Sequence, residues 1–434
     1  MLRIVVDFMV ARNQCDKAIV SVVDPAQRAK KLDSPYNSIR EMHVMRRVYC
    51  DANATTPLLP EVVEAMRPYW MEHFGNASSI HIHGQAAHRA VDQARETLAR
   101  FFKCREAEVV FNSGGTEGDN TAIFGLLRAG DHFITTSIEH SAVLRAADRV
   151  VERGVAVTFV GPQPSGLIDP MDILRAMRPE TRLISVMLAN NETGVLQPVG
   201  EIGKIAAQAG AFFHIDAVQG AGKVEFDVRR FGCHLCSISG HKMHGPKGVG
   251  AMYVRRGTPI EPKMVGGSHE RRQRAGTENV PGIVGLGKAA ALAMESLADG
   301  TIERLAGLRD RLEAGILELS GTRVNGGFDG DKRVPRTANT TNIAFDQVEG
   351  EAMVIALDLK GVAVSGGSAC HSGSAEPSHV LMAMGLDKNA ARASLRFSLM
   401  KTATEADVEH VLKVVPEAVE RLRALSPVAA GTLG

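Results

Sequence analysis

Short apolar segments alternate with longer amphipathic segments from Val48 onward. The apolar segments carry apolar side chains on both faces, which is typical of buried parallel strands. The predicted strands are 108–111, 132–137, 156–161, 182–189, 211–216, 235–240 and 250–254. The predicted helices are 83–103, 119–128, 141–153, 170–178 and 199–209. This alternation predicts an α/β fold with a mostly parallel, seven-stranded sheet between helices.

The pattern changes after about residue 285. The predicted elements there are helical 284–319, strand 341–346, helical 350–359, strand 363–366, and helical 376–384 and 404–424. We therefore predict a large domain over 59–299 and a smaller α+β domain formed by 48–58 and 300–434. Residues 1–47 show only weak periodicity, and we expect this extension to be disordered or to come from an upstream start codon.

Composition excludes several classes of protein. The 434 residues include 50 Lys and Arg against 49 Asp and Glu, a formal net charge of +1. This balance is not the electrostatic footprint of a nucleic-acid-binding protein. The absence of a long apolar run predicts no membrane span. Six scattered cysteines do not form a disulfide framework and favour a reducing, cytoplasmic location.

Two motifs follow predicted strands and could bind an anion or a cation. Phe111–Glu117, with sequence FNSGGTE, is a glycine turn at the start of a helix, which suits a phosphate. The alternative is a tight connection between strand and helix. Asp216 closes the segment AFFHID, where a carboxylate either caps the next helix or pairs with a cationic ring nitrogen.

Two further motifs contain candidate nucleophiles. Lys242 directly follows a predicted buried strand and is flanked by glycines, so that a ligand can approach closely. Desolvation lowers the pKa of a lysine, and the neutral amine forms a Schiff base. Cys370 lies among Ser, Gly and His residues, which favours a reactive thiol over a small buried apolar residue. A lysine together with a carboxylate for a pyridinium nitrogen is typical of pyridoxal phosphate (PLP) enzymes.

These motifs identify a family. From about Val48 to about Pro427 the chain resembles the class V, fold-type I aminotransferase superfamily, and within it the cysteine desulfurases of the NifS/IscS type. The resemblance includes DANATTP at 51–57 and FGNASSIHIHG at 74–84. It implies a fold-type I PLP-dependent transferase that converts L-cysteine to L-alanine and leaves a persulfide on Cys370.

The resemblance also implies roles for individual residues. Lys242 corresponds to the lysine that carries PLP, and Asp216 to the residue that pairs with the pyridine nitrogen. Gln219 matches the residue that bonds the phenolic oxygen, with Asn191 beside it near cofactor and substrate. His140 is similar to the histidine that stacks on the ring and moves protons.

The remaining implied contacts concern the phosphate and the substrate. Gly115, Thr116, Ser239 and His241 would bind the phosphate, and Thr277 would reach the phosphate of a second subunit, which implies a homodimer. Arg396 matches the arginine that binds the substrate carboxylate, a task suited to a bidentate guanidinium.

Some features depart from this pattern or leave alternatives open. His371 stands where the family leads us to expect threonine; it could raise the thiolate fraction of Cys370 or have no role. We predict no metal site, including at Cys233 and Cys236, because residues three apart point to opposite faces of a strand. The alternatives for the function are a selenocysteine lyase and a non-catalytic scaffold. The sulfur acceptor is open, with an iron–sulfur scaffold protein as one candidate; neither nucleic acid nor membrane is an expected direct partner.

Overall fold

The computed structural model describes residues 46–366 and 376–425. The strands are β1 (Val48–Tyr49), β2 (Val109–Asn112), β3 (His132–Thr136), β4 (Ala156–Val160), β5 (Thr181–Ser185), β6 (Phe212–Asp216), β7 (Leu235–Ser239), β8 (Gly250–Val254), β9 (Thr322–Val324), β10 (Phe328–Asp329), β11 (Lys332–Arg333), β12 (Thr340–Phe345), β13 (Val362–Ala363), β14 (Ser365–Gly366) and β15 (Ser394–Ser398).

The helices follow the same chain order. They are α1 (Pro60–Met66), α2 (Pro68–Met71), α3 (Ile82–Phe102), α4 (Gly115–Leu126), α5 (Ser141–Val151), α6 (Pro170–Ala176), α7 (Val199–Ala209), α8 (Val228–Phe231), α9 (Val280–Ser296), α10 (Thr301–Leu317), α11 (Gly350–Asp358), α12 (His379–Ala383), α13 (Lys388–Arg392) and α14 (Glu405–Leu425).

The central sheet has seven strands in the order β2-β8-β7-β6-β5-β3-β4. Only β8 in this sheet runs antiparallel to its neighbours, β2 and β7, so the predicted mostly parallel sheet is confirmed. Strands β2, β3 and β7 are buried at every residue, as expected of strands covered on both faces. Strand β4 forms one edge and is partly exposed.

Several predicted elements have different bounds, and three of these differences have a clear structural setting. The predicted strand 182–189 ends at Ser185. Beyond it the backbone N–H of Met187 donates to the buried carboxyl of Glu139 (3.0 Å), whereas those of Val186 and Leu188 still donate to carbonyl oxygens of β6. Helix α4 begins at Gly115 rather than near 119, directly after a turn in which Gly114 adopts a φ of +142°. The predicted helix 284–319 is two helices, α9 and α10, bent by 76° at a break that contains Gly300 with a φ of +84°.

A second, smaller sheet has the order β14-β15-β12-β9 and is antiparallel. Its buried apolar side chains join those of β1, α10, α11 and α14 in a separate hydrophobic cluster. The predicted strand 363–366 is interrupted at Val364, since β13 pairs with β1 whereas β14 pairs with β15. The predicted helix 376–384 is limited to α12, which Ser378 caps by accepting from Leu381 N–H. The domain boundaries at 59 and 300 stay a prediction.

The described helices lie within residues 46–366 and 376–425. No single helix there is both long enough and apolar enough to cross a membrane, although the bent pair α9 and α10 meets the length and composition criteria together. Residues 1–45, which make up most of the predicted extension, lie outside the described residues.

Candidate active site

A cavity of about 250 Å³ lies at the carboxyl ends of the central strands. This is where open α/β sheets place their ligands. It brings together ten of the predicted site residues: Gly115, Thr116, His140, Asn191, Asp216, Gln219, Ser239, His241, Lys242 and Arg396. The loops after β2, β3, β5, β6 and β7 contribute most of these side chains, so the sheet itself sets their spacing.

Lys242 lies on one wall of the cavity, at the end of a short 3₁₀ turn that follows β7. Its Nζ donates to the carbonyl oxygens of Asn53 (2.7 Å) and Ala54 (2.8 Å). These two carbonyls hold the amine at the cavity, where a ligand carbonyl could reach it.

Two carboxyl groups, those of Asp216 and Asp119, also line the cavity. Asp216 accepts from the Val218 N–H (2.9 Å), and burial raises its pKa. Burial raises the pKa of Asp119 well above its ordinary value, and the charge of Asp216 raises it further. The Asp119 Oδ1 atom is buried without a hydrogen-bond partner. A cationic nitrogen in the cavity would offset the cost of burying these groups.

His140 lies between the cavity and the start of α5. Its Nδ1 accepts from the Ala142 N–H (3.1 Å), so the neutral ring carries its proton on Nε2. Burial lowers the pKa of His140; the charge of Lys242 lowers it further, and that of Asp216 opposes this change. The ring is therefore neutral at pH 7 and able to exchange a proton.

The N-terminus of α4 forms another wall of the cavity. The first N–H groups of a helix have no acceptor within the helix and attract anions. A Cβ on Gly115 would lie 2.5 Å from Val218 Cγ2, so only glycine fits beside this terminus. Thr116, Ser239 and His241 line the same cavity, and His241 Nδ1 lies 3.1 Å from Thr55 Oγ1. Burial lowers the pKa of His241 to about 4.

Arg396 and Asn191 meet on the side of the cavity that faces the smaller sheet. Arg396 Nη1 donates to the Asn191 carbonyl oxygen (3.0 Å), and Nη2 donates to Asp51 Oδ1 (2.7 Å). The side chain of Arg396 is only 2% exposed, and its Nε has no partner. The predicted carboxylate-binding arginine thus already has an anionic partner in this chain.

Three residues predicted for the site are not among the described residues that line the cavity. Thr277 is exposed and is not among the residues that line the cavity. Cys370 and His371 lie outside the described residues.

Four residues that contact or line the site were not predicted from the sequence: Asp51, Asn53, Asp119 and Lys223. The motif DANATTP contained the first two. Asp119 lies just after the motif FNSGGTE, and Lys223 lies just after Gln219. No local pattern distinguished either residue from an ordinary charged residue.

The prediction about Cys233 and Cys236 rested on a wrong premise. Cys233 precedes β7, which begins at Leu235, so the two residues do not alternate along one strand. Both thiols are buried, and the pKa of Cys236 is raised by burial first and by a hydrogen bond with Cys233 second. In the described part of the chain no three His, Cys, Asp or Glu side chains form a group suited to a metal ion. The absence of a metal site remains a prediction.

Comparison with known proteins gives consistent results. The aminotransferase class-V family model matches residues 48–411. The chain is 48% identical to a cysteine desulfurase of Trichormus azollae over 387 residues, which is 88% of this chain and 95% of that protein. It is 47% identical to the cysteine desulfurase IscS of Methanosarcina thermophila over 386 residues, with 88% and 94% coverage.

Solved structures show the same likeness. A NifS-like protein superposes with a TM-score of 0.78 at 34% identity and covers 87% of this chain and 99% of its own. The protein SspA in complex with cysteine superposes with a TM-score of 0.71 at 36% identity, covering 81% and 98%. With the cavity, the sheet order and these matches in agreement, the chain belongs to the class-V aminotransferase family, in the group of NifS/IscS-type cysteine desulfurases.

Proposed function

We propose that this protein is a PLP-dependent cysteine desulfurase that acts on L-cysteine. The C–S bond of the substrate breaks, an S–S bond forms with the Cys370 thiol, and L-alanine leaves with the proton of that thiol. The enzyme then carries a persulfide. The observation that carries this proposal is the convergence of Lys242, Asp216 and His140 on one cavity.

The cavity residues fit PLP as a cofactor. The α4 N-terminus with Thr116, Ser239 and His241 suits the phosphate, and the buried carboxyl of Asp216 suits a protonated ring nitrogen. Lys242 would hold the aldehyde carbon. When bound, PLP supplies an electron sink for the charge that develops at the substrate Cα.

The other side chains would bind the substrate and move its protons. Arg396 would bind the substrate carboxylate, with Asn191 beside it. The neutral ring of His140 carries its proton on Nε2 and can donate it to the substrate. Burial of these groups strengthens each polar contact because little water competes for them.

We further propose a homodimer. The segment 70–82 supports it, because several large apolar side chains exposed in one segment favour an interaction site. Its exposed members are Trp70, Met71, Phe74, Ile80 and Ile82, with exposed fractions from 63% to 91%. The exposed Thr277 would then be free to reach the cavity of a second copy.

The destination of the sulfur is also part of this proposal. We propose that the Cys370 persulfide passes to an acceptor protein such as an iron–sulfur scaffold, in the cytoplasm. The family resemblance supports the acceptor. The location is supported by the cysteine pattern, since Cys50, Cys104, Cys233 and Cys236 are all free.

An assay with L-cysteine tests the proposed activity. In a single turnover with added PLP, wild type should form one enzyme persulfide for each alanine released, and mass spectrometry should locate that sulfur on Cys370. Cys370→Ala should lose sulfur transfer while retaining PLP, and Lys242→Ala should lose covalent attachment of PLP after borohydride reduction. Turnover of selenocysteine alone, surviving Cys370→Ala, would replace the proposal with a selenocysteine lyase. Failure to bind PLP would favour the non-catalytic scaffold.

A further inference from the structure

Lys223 lies directly behind the wall of the active-site cavity, in the turn that follows β6. Its Nζ donates to Gln219 Oε1 (2.7 Å) and to Asn53 Oδ1 (2.9 Å). Burial lowers the pKa of Lys223 well below its ordinary value, and the charges of Lys242 and Arg396 lower it further. The fold thus places a second amine, that of Lys223, near the catalytic lysine Lys242. Burial of the Lys223 amine is unfavourable for its charged form.

The contacts of Lys223 determine which end of the Gln219 amide faces which neighbour. The Lys223 Nζ is the donor in this hydrogen bond, and only the carbonyl oxygen of the amide can accept it. The other end, Nε2, donates to the Asn53 carbonyl oxygen (2.9 Å), which can only accept. Both neighbours therefore require the same orientation of the amide, and the flipped orientation would lose two hydrogen bonds at once.

This orientation has a consequence inside the cavity. An amide NH₂ has two hydrogens, of which the Asn53 carbonyl uses one. Gln219 lines the cavity, so its second N–H is available to a ligand oxygen there. The Asn53 carbonyl also accepts from Lys242 Nζ (2.7 Å), which ties this arrangement to the catalytic lysine.

We propose that Lys223 is a positioning residue, which orients the Gln219 amide so that its N–H, and not its carbonyl oxygen, faces the phenolic oxygen of the cofactor. This inference rests on the proposed function, since it requires PLP in the cavity. A donor stabilises the negative charge on that oxygen, whereas a carbonyl oxygen in its place would repel it.

The variant Lys223→Met tests the proposal, because methionine keeps most of the volume and cannot donate. We expect the dissociation constant of PLP, measured by fluorescence titration of the apoprotein, to rise about tenfold. We also expect the pH midpoint of the absorption band of the bound cofactor to move up by about one unit, because the ionised oxygen loses its donor. Unchanged values for both quantities would overturn the proposal.

Lys401→Met is the matched control. Lys401 lies on another wall of the small cavity that Lys223 also lines, and its Nζ contacts Ser296 Oγ (3.3 Å) without touching Gln219. This variant should keep the wild-type dissociation constant and midpoint. A shift as large as that of Lys223→Met would show that any loss of charge from this cavity suffices, and the positioning role would be rejected.

A double-variant cycle separates positioning from a direct effect of the lysine charge. In a Gln219→Met background there is no amide to orient, so Lys223→Met should change the midpoint by less than about a third of its effect in wild type. Two fully additive shifts would contradict the proposal.

A further variant covers the case in which Lys223→Met does not fold. Gln219→Glu keeps the acceptor for Lys223 and removes the N–H from the cavity, so its midpoint should also rise. A wild-type midpoint in Gln219→Glu would overturn the proposal. If the wild-type protein itself binds no PLP, the proposed function fails instead, and this outcome is distinct from all the others.

Discussion

Asp51 and Arg396 stand 345 positions apart in the chain, yet Arg396 Nη2 lies 2.7 Å from Asp51 Oδ1. The arginine is 2% exposed and the aspartate 18% exposed, so this is a largely buried ion pair. Ser365 Oγ donates to the same Asp51 oxygen (2.7 Å). A substrate carboxylate that approaches Arg396 therefore meets a guanidinium whose charge is already shared with Asp51.

The variant Asp51→Asn should separate stability from substrate affinity. It leaves a buried guanidinium without its anion, so we expect the free energy of unfolding to fall by about 3 kcal/mol. The same unpaired charge should bind the substrate carboxylate more strongly, so the KM for L-cysteine should decrease about tenfold. Urea unfolding and steady-state kinetics measure the two effects.

The exposed pair of Arg311 with Glu409 offers a control for this experiment. Glu409→Gln should change neither quantity appreciably, since exposed ion pairs contribute little. An Asp51→Asn variant with lower stability and an unchanged or higher KM would show that Asp51 only supports the arginine.

Glu139 predicts a pH dependence of stability. Its Oε1 accepts from Thr136 Oγ1 (2.7 Å) and Met187 N–H (3.0 Å), while Oε2 is buried without a partner. Burial raises the pKa of Glu139 from 4.5 to about 8. Between these values the folded protein keeps a proton that the unfolded chain has lost. The contribution of Glu139 to stability is therefore present below pH 4.5 and is lost as the pH rises to about 8.

The variant Glu139→Gln removes this titration. The wild-type free energy of unfolding minus that of the variant should fall as the pH rises, by at most about 1.4 kcal/mol per pH unit. Urea unfolding at several pH values measures the difference, with the exposed Glu152→Gln as the control. A difference that is the same at all pH values would contradict the buried, protonated carboxyl.

His140 predicts the acid limb of the activity profile. Because burial lowers the pKa of His140 below 6.5, its ring should stay neutral to a lower pH than an exposed histidine does. The acid limb of kcat/KM that belongs to His140 should therefore lie below pH 6.5. His140→Ala should lower kcat by a factor on the order of 10² to 10⁴ and abolish this limb. The exposed His88→Ala should leave the profile unchanged; a limb at or above pH 6.5 would refute the assignment.

The exposed apolar segment 70–82 predicts the oligomeric state. The double variant Met71→Glu and Ile80→Glu places two charges on side chains that are 83% and 91% exposed in the single chain. Light scattering coupled to size exclusion should show a dimer for the wild type and a monomer for this variant, because a desolvated charge disfavours association. Leu359→Glu, at an exposed apolar residue just after α11, should remain a dimer. A wild-type monomer would contradict the proposed homodimer.

Much of the fold followed from local pattern. Each of the seven central strands was predicted. All except the partly exposed edge strand β4 are largely buried, and a strand buried on both faces needs a continuous apolar segment whatever its neighbours are. Element ends were less predictable. Just beyond β5 the Met187 N–H donates to Glu139, which lies on a different loop, so the local pattern does not reveal this contact. The start of α4 depends on the positive φ of Gly114, which many turns with two glycines would not require.

Local pattern was enough to predict three groups of the site: a lysine after a buried strand, a carboxylate closing another and a glycine turn before a helix. The partners of these groups follow only from the folded structure. Asn53 accepts hydrogen bonds from Lys242 and Gln219, which lie 189 and 166 positions away in the chain. Asp51 accepts one from Arg396, which lies 345 positions away. Such encounters depend on sheet order and on the packing of separate elements, neither of which is encoded in the spacing of residues along one segment. For the same physical reason Lys223 looked like an ordinary charged residue until the fold placed its amine against Gln219.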